Sequence, residues 1–237
     1  MSPTSCQTAP PRVRKTKTIA GFVIRLQTDP LSQQLHRLAD SLLCYTGSAH
    51  FQVHRMKFCS SCAQPVVYET PAGDNRKRYC CLNCKAIHYQ NPRMVVGTVT
   101  TWEAKVLLCR RAIEPRHGYW TLPAGFMENG ETAGEGASRE TLEEAGARID
   151  LGGLFSMIDV PHVEQVHLFY RAELLHLDFV PGPESLEAAL FDEHEIPWDQ
   201  IAFRTVGQTL KWFFEDRRSG RFDLHTSAIR YEPRPGA

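Results

Sequence analysis

The chain has 237 residues, 42% hydrophobic and 23% charged, ordinary globular values that exclude a collagen-like or wholly disordered protein. Basic and acidic residues balance at 27 each, yet residues 1–55 hold seven Lys/Arg against Asp29 and Asp40, while residues 56–237 hold twenty against twenty-five. The mildly acidic body has no long basic stripe, which argues against a general nucleic-acid binder, and no stretch approaches the roughly eighteen uncharged apolar residues that span a bilayer.

Residues 1–55 form a first region, poorly structured or a leader. They are rich in Ser and Thr, carry Arg12-Val13-Arg14-Lys15-Thr16-Lys17, and show one amphipathic run at helical spacing, Leu31, Leu35, Leu38, Leu42 and Leu43. This composition suits a transit peptide, a disordered leader, or an upstream extension with Met56 as the true start. The expected compartment is the cytoplasm, or an organelle if the leader is a transit peptide. Residues 56–90 come next. Five of the eight cysteines crowd between Cys59 and Cys84, while Cys6, Cys44 and Cys109 stand alone. Cys59, Cys62, Cys81 and Cys84 read C-x2-C-x18-C-x2-C, the spacing of a four-thiolate zinc site. Buried free cysteines or a disulfide pair are the alternatives, and Cys80 beside Cys81 leaves the third ligand open. The flanking Pro65–Tyr68, Arg76–Tyr79 and Ile87–Tyr89 supply short strands, so the region is expected to be a zinc ribbon. Four sulfurs leave no open position for water, which makes the zinc structural.

Residues 91–230 are expected to form the main domain. Met94–Val99 and Val106–Cys109 read as a strand pair turning near Glu103. Trp120-Thr121-Leu122-Pro123 leads into Gly125, and a helical pattern runs on to Gly146. Val166–Leu175 and Leu186–Phe191 have strand character, and Thr205–Arg217 reads as a helix with Val206, Leu210, Phe213 and Phe214 on one face.

The segment from Gly125 to Ala147 carries the chemistry. Thr132 with Glu135 three residues on is a capping-box start, and Gly146 is a stop. Ala133, Ala137, Thr141 and Ala145 make a stripe of small side chains for close packing. Glu140 lies one turn from both Glu143 and Glu144, where like charges cost a few tenths of a kcal/mol each. Acids in the last turn oppose the helix dipole at roughly 0.3–1 kcal/mol apiece, and Gly134 and Gly136 cost about 1 kcal/mol each relative to Ala. Such a concentration of broken local rules marks a functional site, and a divalent cation would turn the carboxylate repulsion into attraction. Hard oxygen ligands suit Mg²⁺ or Mn²⁺ shared with substrate phosphates.

The same segment resembles the Nudix box, G-x5-E-x7-R-E-U-x-E-E-x-G-U with U a bulky aliphatic: Gly125, Glu131, Arg139, Glu140, Glu143, Glu144 and Gly146 occupy their places, while Thr141 and Ala147 depart from the two U positions. The resemblance implies an α/β/α sandwich with a mixed sheet, preceded by the ribbon. It implies Mg²⁺ or Mn²⁺ on Glu140, Glu143 and Glu144, with Gly125 in the metal-binding set, and Glu131 paired to Arg139. The implied reaction is hydrolysis of the diphosphate bond in a nucleoside diphosphate linked to another moiety. Its general base varies within the family; Glu140, Glu143 and the downstream Glu184 and Glu187 are candidates.

From Met56 to Thr226 the order of motifs is similar to the ribbon-bearing Nudix group typified by plant plastid FAD pyrophosphohydrolases, which also cleave ADP-ribose. The stretches 89–97, 118–125 and 182–187 carry the likeness, and an SQPWPFP-like stretch found in NADH pyrophosphatases is missing. FAD or ADP-ribose is therefore the expected substrate, giving AMP plus FMN or ribose 5-phosphate; NADH, another dinucleotide, or a non-catalytic nucleotide-binding role are the alternatives. Tyr119, Trp120 and Phe126 are candidates to stack on a flat ring, with core aromatics the equal alternative, and Glu184 is expected at the substrate. The expected partner is a small dinucleotide or nucleotide sugar, with no membrane or nucleic acid, and a homodimer is the candidate assembly.

Overall fold

The computed structural model describes residues 56–230, so the Leu31–Leu43 run lies outside the described residues. Three strands make the ribbon: β1 (Val66–Glu69), β2 (Arg78–Cys81) and β3 (Ile87–His88), all antiparallel, with Val66 opposite Cys81 and Tyr79 opposite His88.

A larger sheet follows. It contains β4 (Arg93–Trp102), β5 (Lys105–Arg111), β6 (Trp120–Thr121), β7 (Ala124–Phe126), β8 (Ile149–Val160), β9 (Gln165–Leu174), β10 (Ser185–Phe191) and β11 (His225–Ala228). The order is β10-β5-β4-β9-β8-β11, with β6 on β5 and β7 on β4. β4 runs parallel to β9 and β11 parallel to β8, while the other pairs are antiparallel, so the sheet is mixed as expected. The β4–β5 turn places Glu103 at φ 52.

The continuous apolar run in β5 explains why helices cover both faces, since a strand buried on both sides has no polar alternation. Val106 and Leu108 point one way, with Val99, Phe155 and Phe169, and meet Val206, Leu210, Phe213 and Phe214 of helix α2 (Arg204–Ser219). Burial of each such side chain contributes roughly 1.5–3 kcal/mol. Leu107 and Cys109 point the other way, against Ala145 and Ala147, while Val96 and Leu168 pack on Ala137 of helix α1 (Ala133–Ala145). The result is an α/β/α sandwich.

Small residues let α1 sit close to the sheet. Ala137, Thr141 and Ala145 are fully buried. Thr141, at a position where a bulky aliphatic is usual, donates its hydroxyl to the Ala137 carbonyl at 2.8 Å and lies 2.7 Å from the Thr98 hydroxyl, itself 2.7 Å from that of Thr100. A buried hydroxyl ladder thus replaces an aliphatic contact and satisfies its own polar groups. The helix starts with the capping box, both hydrogen bonds of Thr132 and Glu135 present, and ends at Gly146 with φ 64. No basic residue occupies the last turn; instead the Gly182 N–H donates to the Glu144 carbonyl at 3.0 Å, covering one of the orphan acceptors.

Four strands were not anticipated: β6 and β7, two and three residues long and too short to show a period, and β8 and β11. β8 breaks its alternation at Gly152-Gly153, with register shifts between Leu151 and Leu154 and between Leu154 and Ser156, which hides the period-2 pattern. β11 is four residues at a sheet edge, too short to show a period.

Candidate active site and metal centre

Strand β7, the loop after it and the exposed edge of α1 meet at Arg139. Its Nε donates to Glu131 Oε2 at 3.0 Å and its Nη2 to Glu131 Oε1 at 2.8 Å, a two-pronged pair between loop and helix. Nη2 also donates to the Phe126 carbonyl at 3.1 Å, and Nη1 reaches Glu140 Oε1 at 2.7 Å and Glu143 Oε2 at 3.0 Å. Glu131 additionally accepts from the Glu128 N–H at 2.7 Å. Arg139 and this amide hold the Glu131 carboxyl down at about 2. Glu131 is therefore an ionised strut.

Glu140 and Glu144 are the inner carboxylates. Burial pushes Glu144 up to about 7 despite the Ala124 N–H that donates to its Oε2 at 3.0 Å, and the charges of Glu140 and Glu184 push the same way. Burial likewise raises Glu140, against the pull of Arg139 and with help from Glu143 and Glu184. Glu143 is the exposed member, with 59% side-chain exposure. Gly125 packs against Glu140 so closely that an added Cβ would lie 2.3 Å from its Oε2, which is why no side chain fits there. Carboxylates crowded this way repel one another and hold their protons too readily. That is the donor set a hard divalent cation relieves, so the residues fit Mg²⁺ or Mn²⁺. Glu140, Glu143 and Glu144 would hold it, with the Gly125 main chain alongside.

Phe126 stands at the rim, 47% exposed, with the Arg93 guanidinium 4.7 Å over its ring. Arg93 was not singled out from sequence; the pairing of Val95 with Phe126 brings it there, and no local pattern shows that pairing. Arg111, also passed over, lends a positive charge that lowers Glu144, and its Nε donates to the Pro115 carbonyl at 2.9 Å. Glu184 lies near enough for its charge to raise both inner carboxylates, its carbonyl accepting from the Ala112 N–H at 2.8 Å.

Two expected site residues sit elsewhere. Trp120, read as a stacking platform, is 7% exposed and packs edge-on to Phe191 with ring centroids 4.8 Å apart. A base would have to displace that core packing, so Trp120 builds the core beneath the site. Glu187, read as a candidate base, pairs with Arg110 across β10 and β5, its carboxylate 4.0 Å from Nη1. Regular alternation from Glu187 to Phe191 puts its side chain on the face of Ala189 and Phe191, which pack in the α2 core, away from α1.

In the ribbon, the sulfurs of Cys59, Cys62, Cys81 and Cys84 all lie within 4.8 Å of one another. Cys59 and Cys84 are 3.6 Å apart and Cys62 and Cys81 3.5 Å, close to the ~3.8 Å that a tetrahedral centre with ~2.3 Å Zn–S bonds requires. The donor set fits zinc. Alternation on β2 turns Cys80 away, toward the Arg78 carbonyl at 3.7 Å, which makes Cys81 the third ligand.

A helix edge of glutamates lies against Gly125 of β7, on a mixed sheet between two helices, a donor set suited to a divalent cation and the phosphate oxygens it would bind. The chain belongs to the Nudix family: residues 91–213 match the NUDIX domain, and residues 57–90 match the family's N-terminal zinc ribbon, described as Nudix N-terminal. A solved NUDIX hydrolase from Nitrosomonas europaea is 53% identical, covers 74% of this chain and all of its own, and superposes with a TM-score of 0.73. An ADP-ribose pyrophosphatase of Methanocaldococcus jannaschii is 27% identical over 52% of this chain and 76% of its own length. An NAD-capped RNA hydrolase of Stutzerimonas stutzeri is 32% identical over 62% of this chain, which spans only 52% of that relative. Among the described residues, no helix is long and apolar enough to cross a membrane.

Proposed function

We propose that the chain hydrolyses the diphosphate of an adenine nucleotide derivative, with ADP-ribose the favoured substrate and FAD the second of the pair. The observation that carries this reading is the ion-paired frame of Glu131, Arg139, Glu140 and Glu143 beneath the exposed, Arg93-capped ring of Phe126. Water adds to one phosphorus, the bridging P–O bond breaks, and ADP-ribose yields AMP and ribose 5-phosphate. Bound Mg²⁺ or Mn²⁺ would neutralise phosphate oxygens and acidify the attacking water. Glu131 and Arg139 fix the loop against the helix. Glu140, Glu143 and Glu144 present the carboxylate donors, and Phe126 offers a π-face to a flat base. Glu184, close enough for its charge to act on Glu140 and Glu144, is a candidate general base together with Glu140 and Glu143.

The name of the archaeal relative supports ADP-ribose; FAD rests on the resemblance of the chain's motif order alone. A second reading has an observation of its own. The Stutzerimonas relative and a mouse mitochondrial NAD(P)H pyrophosphatase, 31% identical over 63% of this chain, favour NAD-type substrates, free or on RNA. A panel of ADP-ribose, FAD, NADH, NAD-capped RNA and nucleoside triphosphates, with Mg²⁺ and Mn²⁺ in turn, tests the assignment by ratios of kcat/KM. A clear win for NADH or capped RNA would replace the substrate while keeping the chemistry.

A further inference from the structure

The last turn of α1 bears Glu143 and Glu144 where their charges oppose the helix dipole, and no basic residue in that turn answers them. Its final carbonyls also lack intrahelical partners, so a turn of this kind frays unless something holds it. Gly146 closes it from within, its N–H donating to the Leu142 carbonyl at 2.8 Å. From outside, the segment Val180-Pro181-Gly182 lies across it as a strap. The Gly182 N–H donates to the Glu144 carbonyl at 3.0 Å. A Cβ on Gly182 would collide with the Glu143 carbonyl oxygen, and a Cβ on Gly146 with that of Val180. Helix end and strap interlock through two glycines, main chain against main chain.

The φ of Gly182 lies outside the left-handed region, so what the position demands is space. Pro181 and Pro183 stiffen the chain on either side, which leaves the strap little freedom to bow away from an added methyl. Its far end is tied to the sheet. The Gly182 carbonyl accepts from the Ser185 N–H at 3.0 Å, where β10 begins, and the Glu184 carbonyl from the Ala112 N–H at 2.8 Å, just past β5. The strap thus couples the main chain of Glu143 and Glu144 to the sheet, whose Ala124 N–H meets the Glu144 carboxylate at 3.0 Å.

We propose that Gly182 is a positioning residue for the cation site, its close seat on the last turn of α1 holding Glu143 and Glu144 where a divalent ion can be shared between them. The proposal rests on the reading of Glu140, Glu143 and Glu144 as cation ligands, and its test separates the two. Mn²⁺ binding to the full chain is followed by electron paramagnetic resonance of the free ion. Wild type, Gly182→Ala, Glu144→Gln and Val206→Ala are compared, with urea unfolding of each alongside. Val206→Ala loosens the core on the opposite face of the sheet and serves as the measure of general destabilisation. Gly182→Ala is expected to weaken Mn²⁺ binding at least about tenfold, and Val206→Ala to leave it unchanged. Wild-type affinity in Gly182→Ala, with Glu144→Gln weakened, would overturn the role of Gly182 while the cation site stands. Equal weakening in Val206→Ala would reduce Gly182 to general stability and overturn it too. Wild-type affinity in Glu144→Gln would remove the cation reading and the proposal together. Should Gly182→Ala fail to fold, hydrogen exchange of the wild-type chain decides. Binding and seating are linked, so Mn²⁺ is expected to slow exchange of the Gly182 N–H, and an unchanged rate would overturn the proposal.

Discussion

Gly136 lies directly against the Glu131 carboxylate: a Cβ at Gly136 would fall 2.5 Å from Glu131 Oε1 and 2.9 Å from Val96 Cγ2. The glycine that weakens α1 as a helix is thus the one that lets the loop carboxylate reach Arg139. Gly134, two residues earlier and on a different side of the helix, meets only the tip of Leu151 at 2.9 Å.

Gly136→Ala is therefore expected to lose about 1–3 kcal/mol in urea unfolding, because overpacking against a pinned carboxylate outweighs the helix propensity that Ala brings. Gly134→Ala, with a flexible leucine to move, is expected within about 1 kcal/mol of wild type. Equal effects at the two positions would contradict the close-approach explanation.

The Glu131–Arg139 pair sets an acid limb. Glu131 is held at about 2 against an ordinary 4.5, so its contribution is complete above 4.5 and is lost as the pH falls through about 2. Arg139→Lys cannot form the two-pronged pair. The stability gap between wild type and Arg139→Lys, measured by denaturant titration, is expected to be full at neutral pH and to close on acidification. A gap independent of pH would rule out the ion pair as its source.

His167 contributes in the opposite range. Burial keeps its imidazole neutral, down at about 4 from 6.5, with Thr205 and Gln165 on its two ring nitrogens. The unfolded chain binds that proton first, so stability is full above 6.5 and declines between 6.5 and 4, by at most about 3 kcal/mol. His167→Gln is expected to flatten that slope in thermal melts across pH 4–7; an unchanged slope would assign it to other groups.

Neighbouring cysteines separate the ribbon's ligand from its bystander. Cys81→Ser is expected to abolish stoichiometric zinc, whereas Cys80→Ala keeps it, since the Cys80 sulfur faces the Arg78 carbonyl. Elemental analysis of both variants decides. Zinc lost from Cys80→Ala with the fold intact would reverse the choice.

These features differ in how openly the sequence displays them. The capping box at Thr132 and Glu135, the stop at Gly146 and the C-x2-C pairs are local, because each depends on residues within one turn, and they were readable. The buried face of α2 was readable for the same reason, its period being intact. Trp120 was not, since an aromatic strand residue looks alike whether it lines a pocket or fills a core. Glu187 was misplaced because its face follows from the pairing of β10 with β5, which the sequence does not display. Arg93 and Arg111 needed tertiary pairing to reach the site.

The most direct test of the carboxylate-held cation as the centre of hydrolysis is AMP release from ADP-ribose by wild type, Glu143→Gln and Glu144→Gln, each with Mg²⁺ and with excess EDTA. Gln at Glu144 keeps an acceptor for the Ala124 N–H, so the fold is expected to survive in circular dichroism. Turnover is expected to fall by roughly 10²–10⁴ in both variants and to vanish with EDTA in wild type, as the loss of charge stabilisation on phosphate demands. Wild-type rates in both variants, or undiminished activity in EDTA, would contradict it.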